Sequence, residues 1–472
     1  MKRVCWLVIA LCVVLGACSK EETNMFQVPS GSILVLKWGD CGTTTFDSQN
    51  LTSIEPTTIP TGWSVVDIDM YKGTITVQSP AEGTEDAEKS GMMTLKGYTP
   101  TGGTRSLDIF LAIVEQVDYT NAPANCYVAT KAKHRYIFNP MIGGSATPLE
   151  TAEIKLLWQT KSKLVKYLDL SDGVASFYID EDEDNEGKVM PGNALIGAYN
   201  ADGEIIWSWH IWVTNNDPAE GTIELGDATV MNVNLGAECN SNGSTDTQKI
   251  YESYGMYYQW GRKDPFVGPK SYNFTGNSDA ILYNNVSYEV YLNYVESTET
   301  QGTIEWAVAN PTTLIKGIED NDYDWLYANH DNELWSEDSK TEYDPCPAGW
   351  RVADASVFET LELNATYDAM DWETLQPLYG IMLTDGTSDY FFTAQGRRNY
   401  YNCLLDIVNT NEVCPVPWSG YYWTTTPADV NATALYFNLN TNTRTLNGFD
   451  KSYLMQRANA LPVRCIRNKS LL

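Results

Sequence analysis

His134, His210 and His330 are the only imidazoles in the chain, and they fall in three separate neighbourhoods. A serine or cysteine nucleophile needs a base within hydrogen-bond reach, so that dispersal argues against nucleophilic catalysis. The sequence holds no G-x-S-x-G elbow, no P-loop and no HExxH helix. Carboxylates are another matter: a glycosidase needs only two of them, about 5 to 10 Å apart. With 61 acidic residues in the chain, carboxylate-only hydrolysis stays open, although the expectation is a protein that is not an enzyme.

Two segments combine aromatic surface with charge. Tyr257, Tyr258 and Trp260 lead into Arg262, Lys263 and Asp264, and Gln395-Gly396-Arg397-Arg398-Asn399-Tyr400-Tyr401 repeats the combination. An aromatic face beside charged hydrogen-bonding groups can hold a sugar or a peptide. The same residues can equally be structure, with Trp and Tyr filling a core while Arg262 and Asp264 fasten a turn. His210, alone in a tryptophan-rich strand, reads as a satisfied structural residue. The run from Asp180 to Glu186, followed by Gly187, offers oxygen ligands of the kind calcium takes. It lacks the glycine and the terminal glutamate that an EF-hand loop requires, so it reads as a solvated, self-repelling loop. No metal site and no cofactor is expected.

Lys and Arg number 31 against 61 acidic residues, giving a formal charge of −30. Such a chain repels phosphate backbones and acidic polysaccharides, which excludes nucleic acid and leaves a protein or a neutral glycan as the extracellular partner. The 29 tyrosines and 15 tryptophans suit sugar-stacking surfaces and β-sandwich cores alike.

The first residues read as an export signal. Lys2 and Arg3 precede an apolar run from Val4 to Leu15, too short to cross a hydrocarbon core of about 30 Å. Leu15-Gly16-Ala17-Cys18 resembles the lipobox of bacterial lipoproteins, which implies cleavage before Cys18 and lipidation of its thiol. Ser19-Lys20-Glu21-Glu22 resembles the surface-export tract of Bacteroides-type lipoproteins. The expected layout is a signal peptide at 1–17, a lipid-anchored tether at 18–25, and presentation on the outer face of the outer membrane, with the lipid as the sole membrane contact. Of ten cysteines, Cys5 and Cys12 leave with the signal and Cys18 carries lipid, so the remaining number is odd and at least one thiol stays unpaired within the chain. The partners of Cys41, Cys126 and Cys239 are left open.

From Ile33 onward, short runs of β-branched and aromatic residues alternate with Gly, Pro, Asn and Asp, as in Thr74-Ile75-Thr76-Val77. That pattern predicts small antiparallel sandwiches. The first spans 26–116, resembles immunoglobulin-like or BACON-type sandwiches, and has Pro80 to Ser90 as a hairpin loop. A second β-sandwich unit spans 117–218. Its last strand, around Trp207, Trp209 and Trp212, carries aromatics on both faces, so both faces are expected to be covered. Asn200-Ala201-Asp202-Gly203 is expected to turn a hairpin into that strand.

Residues 219–472 carry motifs in a recognisable order. They are Met231-Asn232-Val233-Asn234-Leu235-Gly236-Ala237, Gly255 to Phe266, Asn310-Pro311-Thr312-Thr313, Asp324-Trp325, Leu334-Trp335, Asp344 to Val352, Gly420 to Thr426, and Leu461-Pro462-Val463-Arg464-Cys465-Ile466-Arg467. In this order they resemble the Fibrobacter succinogenes major paralogous domain. The resemblance implies an α+β C-type-lectin-like fold, so the whole chain is expected to be mainly β and multidomain. It also implies a Cys346–Cys465 bridge, with Cys403–Cys414 as a second, local pairing. A formylglycine-generating activity, known on the same architecture, would need paired reactive cysteines that this chain does not offer. Asp354 is placed as an N-cap ahead of Val357, Phe358 and Leu361. Ala353 and Val357 depart from the family's usual Pro and Glu, removing a turn lock and a capping box. The implied role is a surface protein for binding or adhesion, associated with fimbriae. An accessory glycan-binding lipoprotein of a polysaccharide-uptake system and a glycoside hydrolase are the alternatives.

Overall fold

Along Thr74–Gln78 only Ile75 and Val77 are buried, the period-two pattern of a strand with one face on a core. The same alternation places Met93 and Leu95 inside on Ser90–Tyr98, and Leu107, Ile109 and Leu111 on Thr104–Ile113. The computed structural model describes residues 25–27, 33–272, 279–328, 330–406, 418–440 and 445–468. The protein is mainly β, and it divides into two compact units, Met1–Ile113 and Val114–Leu472. The segment read as an export signal, Cys18 and Cys414 lie outside the described residues.

In the first unit a four-stranded sheet runs in the order Ile33–Leu36, Thr104–Ile113, Ser90–Tyr98, Ser53–Thr58. A three-stranded sheet of Cys41–Thr45, Thr74–Gln78 and Ser64–Asp69 shares one core with it, centred on Trp63, Ile75, Met93 and Ile109. The sandwich is not purely antiparallel, since Ile33–Leu36 lies parallel to Thr104–Ile113. Pro80 to Ser90 is not a hairpin loop either. It leads from the smaller sheet to the larger, because the strands on either side of it belong to different sheets.

The second unit opens with another pair of sheets. One orders Glu115–Asp118, His134–Phe138, Val174–Ile179 and Lys166–Ser171. The other orders Cys126–Ala129, Ile205–Val213, Gly192–Tyr199, Glu153–Gln159, Leu282–Tyr283 and Glu289–Val290. Trp207, Trp209 and Ile211 face the first of these sheets, in a core with Phe138 and Phe177. Trp212 and Leu195 instead join Trp260, Trp335 and Trp423 in a core made with the carboxyl-terminal region. The tryptophan strand is thus covered on both faces, as its residue pattern predicts. The Asp202-Gly203 turn closes the hairpin from Gly192↔Val213 to Tyr199↔Ile205, with Gly203 at φ +80°. Asp180 to Gly187 is not an open loop: Glu181–Asp182 pairs with Asn185–Val189, and Lys166 and Lys133 hold Asp180 and Glu181 at 2.8 and 2.5 Å.

Beyond residue 219 the sheets are short. Thr222–Leu225, Ala228–Met231, Cys465–Arg467 and Trp350–Val352 form one, and Trp418–Ala428, Asn431–Asn440 and Thr445–Gln456 form a longer meander. Helices as short as Thr247–Glu252 cannot stand alone and depend on caps and packing. Asp246 accepts from Gln248 N, Thr303 from Trp306 N and Asp371 from Thr374 N. Asp354 does occupy the N-cap position of Ala355–Phe358, but its side chain makes no capping bond. Its carboxylate is held by Arg351 and by the Thr425 hydroxyl instead. Among the described residues no helix is long and apolar enough to cross a membrane.

Candidate functional site

Six of the seven residues named for a binding surface lie in the core. Tyr257, Tyr258, Trp260 and Arg398 are fully buried, and Arg262 and Asp264 are 2% exposed. Their polar atoms are consumed internally. Arg262 donates to Gln259 Oε1 at 2.8 Å and to Thr313 O at 2.9 Å, while Asp264 accepts from Lys263 Nζ at 2.7 Å and from the Ser208 hydroxyl at 2.6 Å. Arg398 donates to Val267 O and to the Asp279 carboxylate. Only Arg397 reaches towards solvent, and it pairs with Asp406 at 3.2 Å over the Tyr421 ring. These side chains fasten the fold and present no binding surface.

The sequence motifs as a whole do the same work. Trp260 Nε1 donates to Thr424 O, Trp423 Nε1 to Tyr258 O, and Trp325 Nε1 to Trp260 O. Asn234 donates to Gln395 Oε1 at 2.8 Å and accepts from Arg464 Nε at 3.0 Å, bringing three distant segments to one buried point. Cys346 and Cys465 are joined in a disulfide across 119 residues. Cys403 is buried, and its suggested partner Cys414 lies outside the described residues.

The histidines are equally structural in their surroundings. His210 Nε2 lies 2.8 Å from Asn193 Oδ1 and Nδ1 lies 3.2 Å from the Tyr258 hydroxyl, and burial depresses its pKa to about 3. His330 Nδ1 sits 2.8 Å from Asp324 Oδ2, a buried carboxylate that raises the imidazole pKa above its ordinary value.

Open space with convergent polar groups occurs elsewhere. A cleft of about 470 Å³ lies beside the Gly192–Tyr199 strand, where segments from both halves of the second unit meet. Lys161 and Ser162 come from the turn after Glu153–Gln159, Glu238 from the loop after Gly236, and Tyr251 and Glu252 from the last turn of Thr247–Glu252. Lys270, Ile281 and Tyr283 also line the cleft. Glu238 is tied to the helix by its backbone, N to Glu252 O at 2.9 Å. Burial, and then the Glu252 carboxylate, push the Glu238 pKa up to about 7, while Lys161 pulls the other way. Glu252 accepts from Gln248 Nε2 at 2.8 Å.

The cleft offers groups that can recognise a polar ligand. Near neutral pH the Glu238 carboxyl exists in both forms, so it can accept or donate a hydrogen bond. Cys239 behind it is no nucleophile, because burial and Glu252 push its thiol up to about 12 and keep it protonated. Tyrosine faces, two lysines and two carboxyls around a mid-sized cleft are what binding sites for polar ligands contain, in a volume range of roughly 300 to 1,000 Å³.

Compared with known proteins, the chain matches no family model and no curated protein. Among solved structures, an I-band fragment of titin matches at 16% identity over 40% of this chain and 64% of its own, with a TM-score of 0.14. Mouse clustered PcdhgC3 EC1-3 matches at 16% identity over 41% and 68%, with a TM-score of 0.15. SGBP-B of the Bacteroides ovatus mixed-linkage glucan utilization locus, in complex with a heptasaccharide, matches at 12% identity over 40% and 44%, with a TM-score of 0.14. The chain thus spans less than two thirds of the length of the titin fragment and of SGBP-B. Likenesses of that degree carry no inference about site or activity.

Glu238, Tyr251, Lys270 and Tyr283 were not singled out by sequence reasoning. The cleft is assembled from several stretches, and although Gly236, Gly255 and Met256 belong to motifs, these four residues do not. One local signal was present: Tyr283, Tyr288 and Tyr291 crowd a run whose Asn284-Asn285-Val286-Ser287 centre reads as a turn.

Proposed function

We propose that this chain is a lipid-anchored protein of the outer cell surface whose cleft between Lys161, Glu238, Tyr251 and Tyr283 holds an extracellular ligand, in a binding or adhesion role without catalysis. The cleft carries the reading, since it joins aromatic faces to hydrogen-bonding groups. The lipobox-like segment ending at Cys18 supports the anchor, and the −30 charge supports a neutral or basic ligand.

The test uses cells displaying the chain and cells displaying a Tyr251→Ala/Lys270→Ala variant, with display equalised by antibody staining. Retention is measured on immobilised mucin, collagen and neutral plant polysaccharides. The parent should be held on at least one surface and the variant released from it. Equal retention of the two would remove the cleft from the reading. Cys18→Ala should abolish labelling by radioactive palmitate, and persistent label would remove the anchor.

A further inference from the structure

The strand Leu282–Tyr283 pairs with Glu289–Val290, with Leu282 opposite Val290 and Tyr283 opposite Glu289. One step further in the same register sets Ile281 opposite Tyr291. Alternation therefore puts Ile281, Tyr283, Glu289 and Tyr291 on one face, with Leu282 and Val290 on the other. Leu282 is buried in the core, whereas Ile281 and Tyr283 line the cleft. Tyr291, on the cleft-side face, is 78% exposed and Ile281 is 48% exposed.

This hairpin is built rather than loose. Asn284 Oδ1 accepts from Val286 N and Tyr288 N at 3.0 and 2.9 Å, and Ser162 donates to the Ser287 hydroxyl at 2.5 Å. Gln159 pairs with Tyr283 and donates to Asn284 O. The Tyr291 hydroxyl donates to Glu289 Oε2 at 2.9 Å, which fixes the phenol and leaves its ring faces to solvent. A large aromatic side chain held in water by its neighbours offers a stacking face at little further ordering cost.

We propose that the cleft and the Ile281–Tyr291 platform form one continuous groove for a neutral oligosaccharide, with a sugar ring stacked on Tyr291 and hydroxyls bonded to Lys161, Ser162, Glu238 and Lys270. The inference rests on the cleft being the binding site. An acidic sugar is disfavoured by the net charge of −30. An extended peptide is the poorer occupant, because the sheet edge here, Glu289–Val290, has only two residues for main-chain pairing. A sugar chain needs no such edge and uses the flat aromatic face together with scattered donors and acceptors.

Calorimetry on the secreted chain carrying Cys18→Ser tests this. The probes are neutral gluco-, xylo- and manno-oligosaccharides of increasing length and, separately, a neutral extended peptide. At least one sugar series should bind, more tightly as it lengthens, and Tyr291→Ala should weaken the longer members about tenfold while Tyr291→Phe, which keeps the ring but loses the bond to Glu289, weakens them less. Binding of the peptide alone would overturn the sugar assignment and leave the cleft reading intact. Sugar binding unchanged by Tyr291→Ala would overturn the platform. Sugar binding unchanged by Tyr251→Ala/Lys270→Ala would show that the cleft itself is not the site. Near-UV circular dichroism of each variant confirms the fold.

Discussion

Lys340 Nζ lies 2.6 Å from Asp344 Oδ1, and both side chains are buried beside the Cys346–Cys465 bridge. The ammonium also donates to Cys346 O and Trp350 O, while the carboxylate accepts from Cys346 N and Val352 N. One ion pair therefore satisfies four backbone groups and shapes the Asp344 to Val352 turn. Removing only the cation leaves a buried carboxylate without its counter-charge, which costs roughly 3 to 5 kcal/mol. Lys340→Met should lower the unfolding free energy by that order, read from urea melts. Lys340→Met/Asp344→Asn should cost less than the two single changes summed, and strict additivity in the cycle would show that the pair is not coupled.

The disulfide ties the start of that turn to the last described strand, where Cys465 pairs with Val352. Closing a loop of this length restricts the unfolded chain by about 4 to 5 kcal/mol in the chain-entropy view. Cys346→Ala/Cys465→Ala should fall in stability by that order. Because both sulfurs are buried, dithiothreitol should act only once denaturant is added. Rapid reduction under native conditions, read by alkylation and mass shift, would contradict the burial.

Glu238 gives the cleft a pH dependence of known sign. Its pKa is near 7 in the folded chain against an ordinary 4.5, so between those values the native state keeps a proton that the unfolded chain has lost. Its contribution to stability is complete below pH 4.5 and is lost as pH rises towards and through 7. Glu238→Gln should be more stable than the parent at pH 8 and equal to it at pH 4.5, measured by thermal melts. A stability difference that does not change between those pH values would contradict the raised pKa.

Much of the scaffold was legible from residues. Asp202-Gly203 marked a hairpin because the turn needs a positive φ, and the alternation around Trp207 to Trp212 showed two buried faces because a strand has only two. The binding residues were not legible. Tyr257 to Asp264 looks the same on a surface as in a core until the partners of each polar atom are known. Here Arg262 finds Thr313 and Gln259, while Asp264 finds Ser208, 56 residues away. The Asp354 cap failed for a related reason: a charged arginine three residues earlier outcompetes backbone N–H groups for the same carboxylate. Pro80 to Ser90 looked like a hairpin because sequence marks where a chain turns, not which sheet the next strand joins.

His210 should make the protein sensitive to acid. Asn193 Nδ2 donates to Gly236 O, which turns its Oδ1 towards His210 Nε2 and places the imidazole proton there, leaving Nδ1 to accept from Tyr258. The neutral ring is thus satisfied at both nitrogens, and burial resists a second proton until pH falls to about 3, against an ordinary 6.5. Between those values the unfolded chain takes up a proton that the native state refuses, so stability falls as the solution is acidified from 6.5 towards 3. Glu238 acts in the opposite sense over part of that range, so the comparison is made in a Glu238→Gln background. There, His210→Gln should be less stable at pH 7, through lost packing, yet lose less of its urea midpoint on acidification to pH 4. Parallel midpoint curves for the two chains would mean that His210 is protonated in the native state as readily as in the unfolded one.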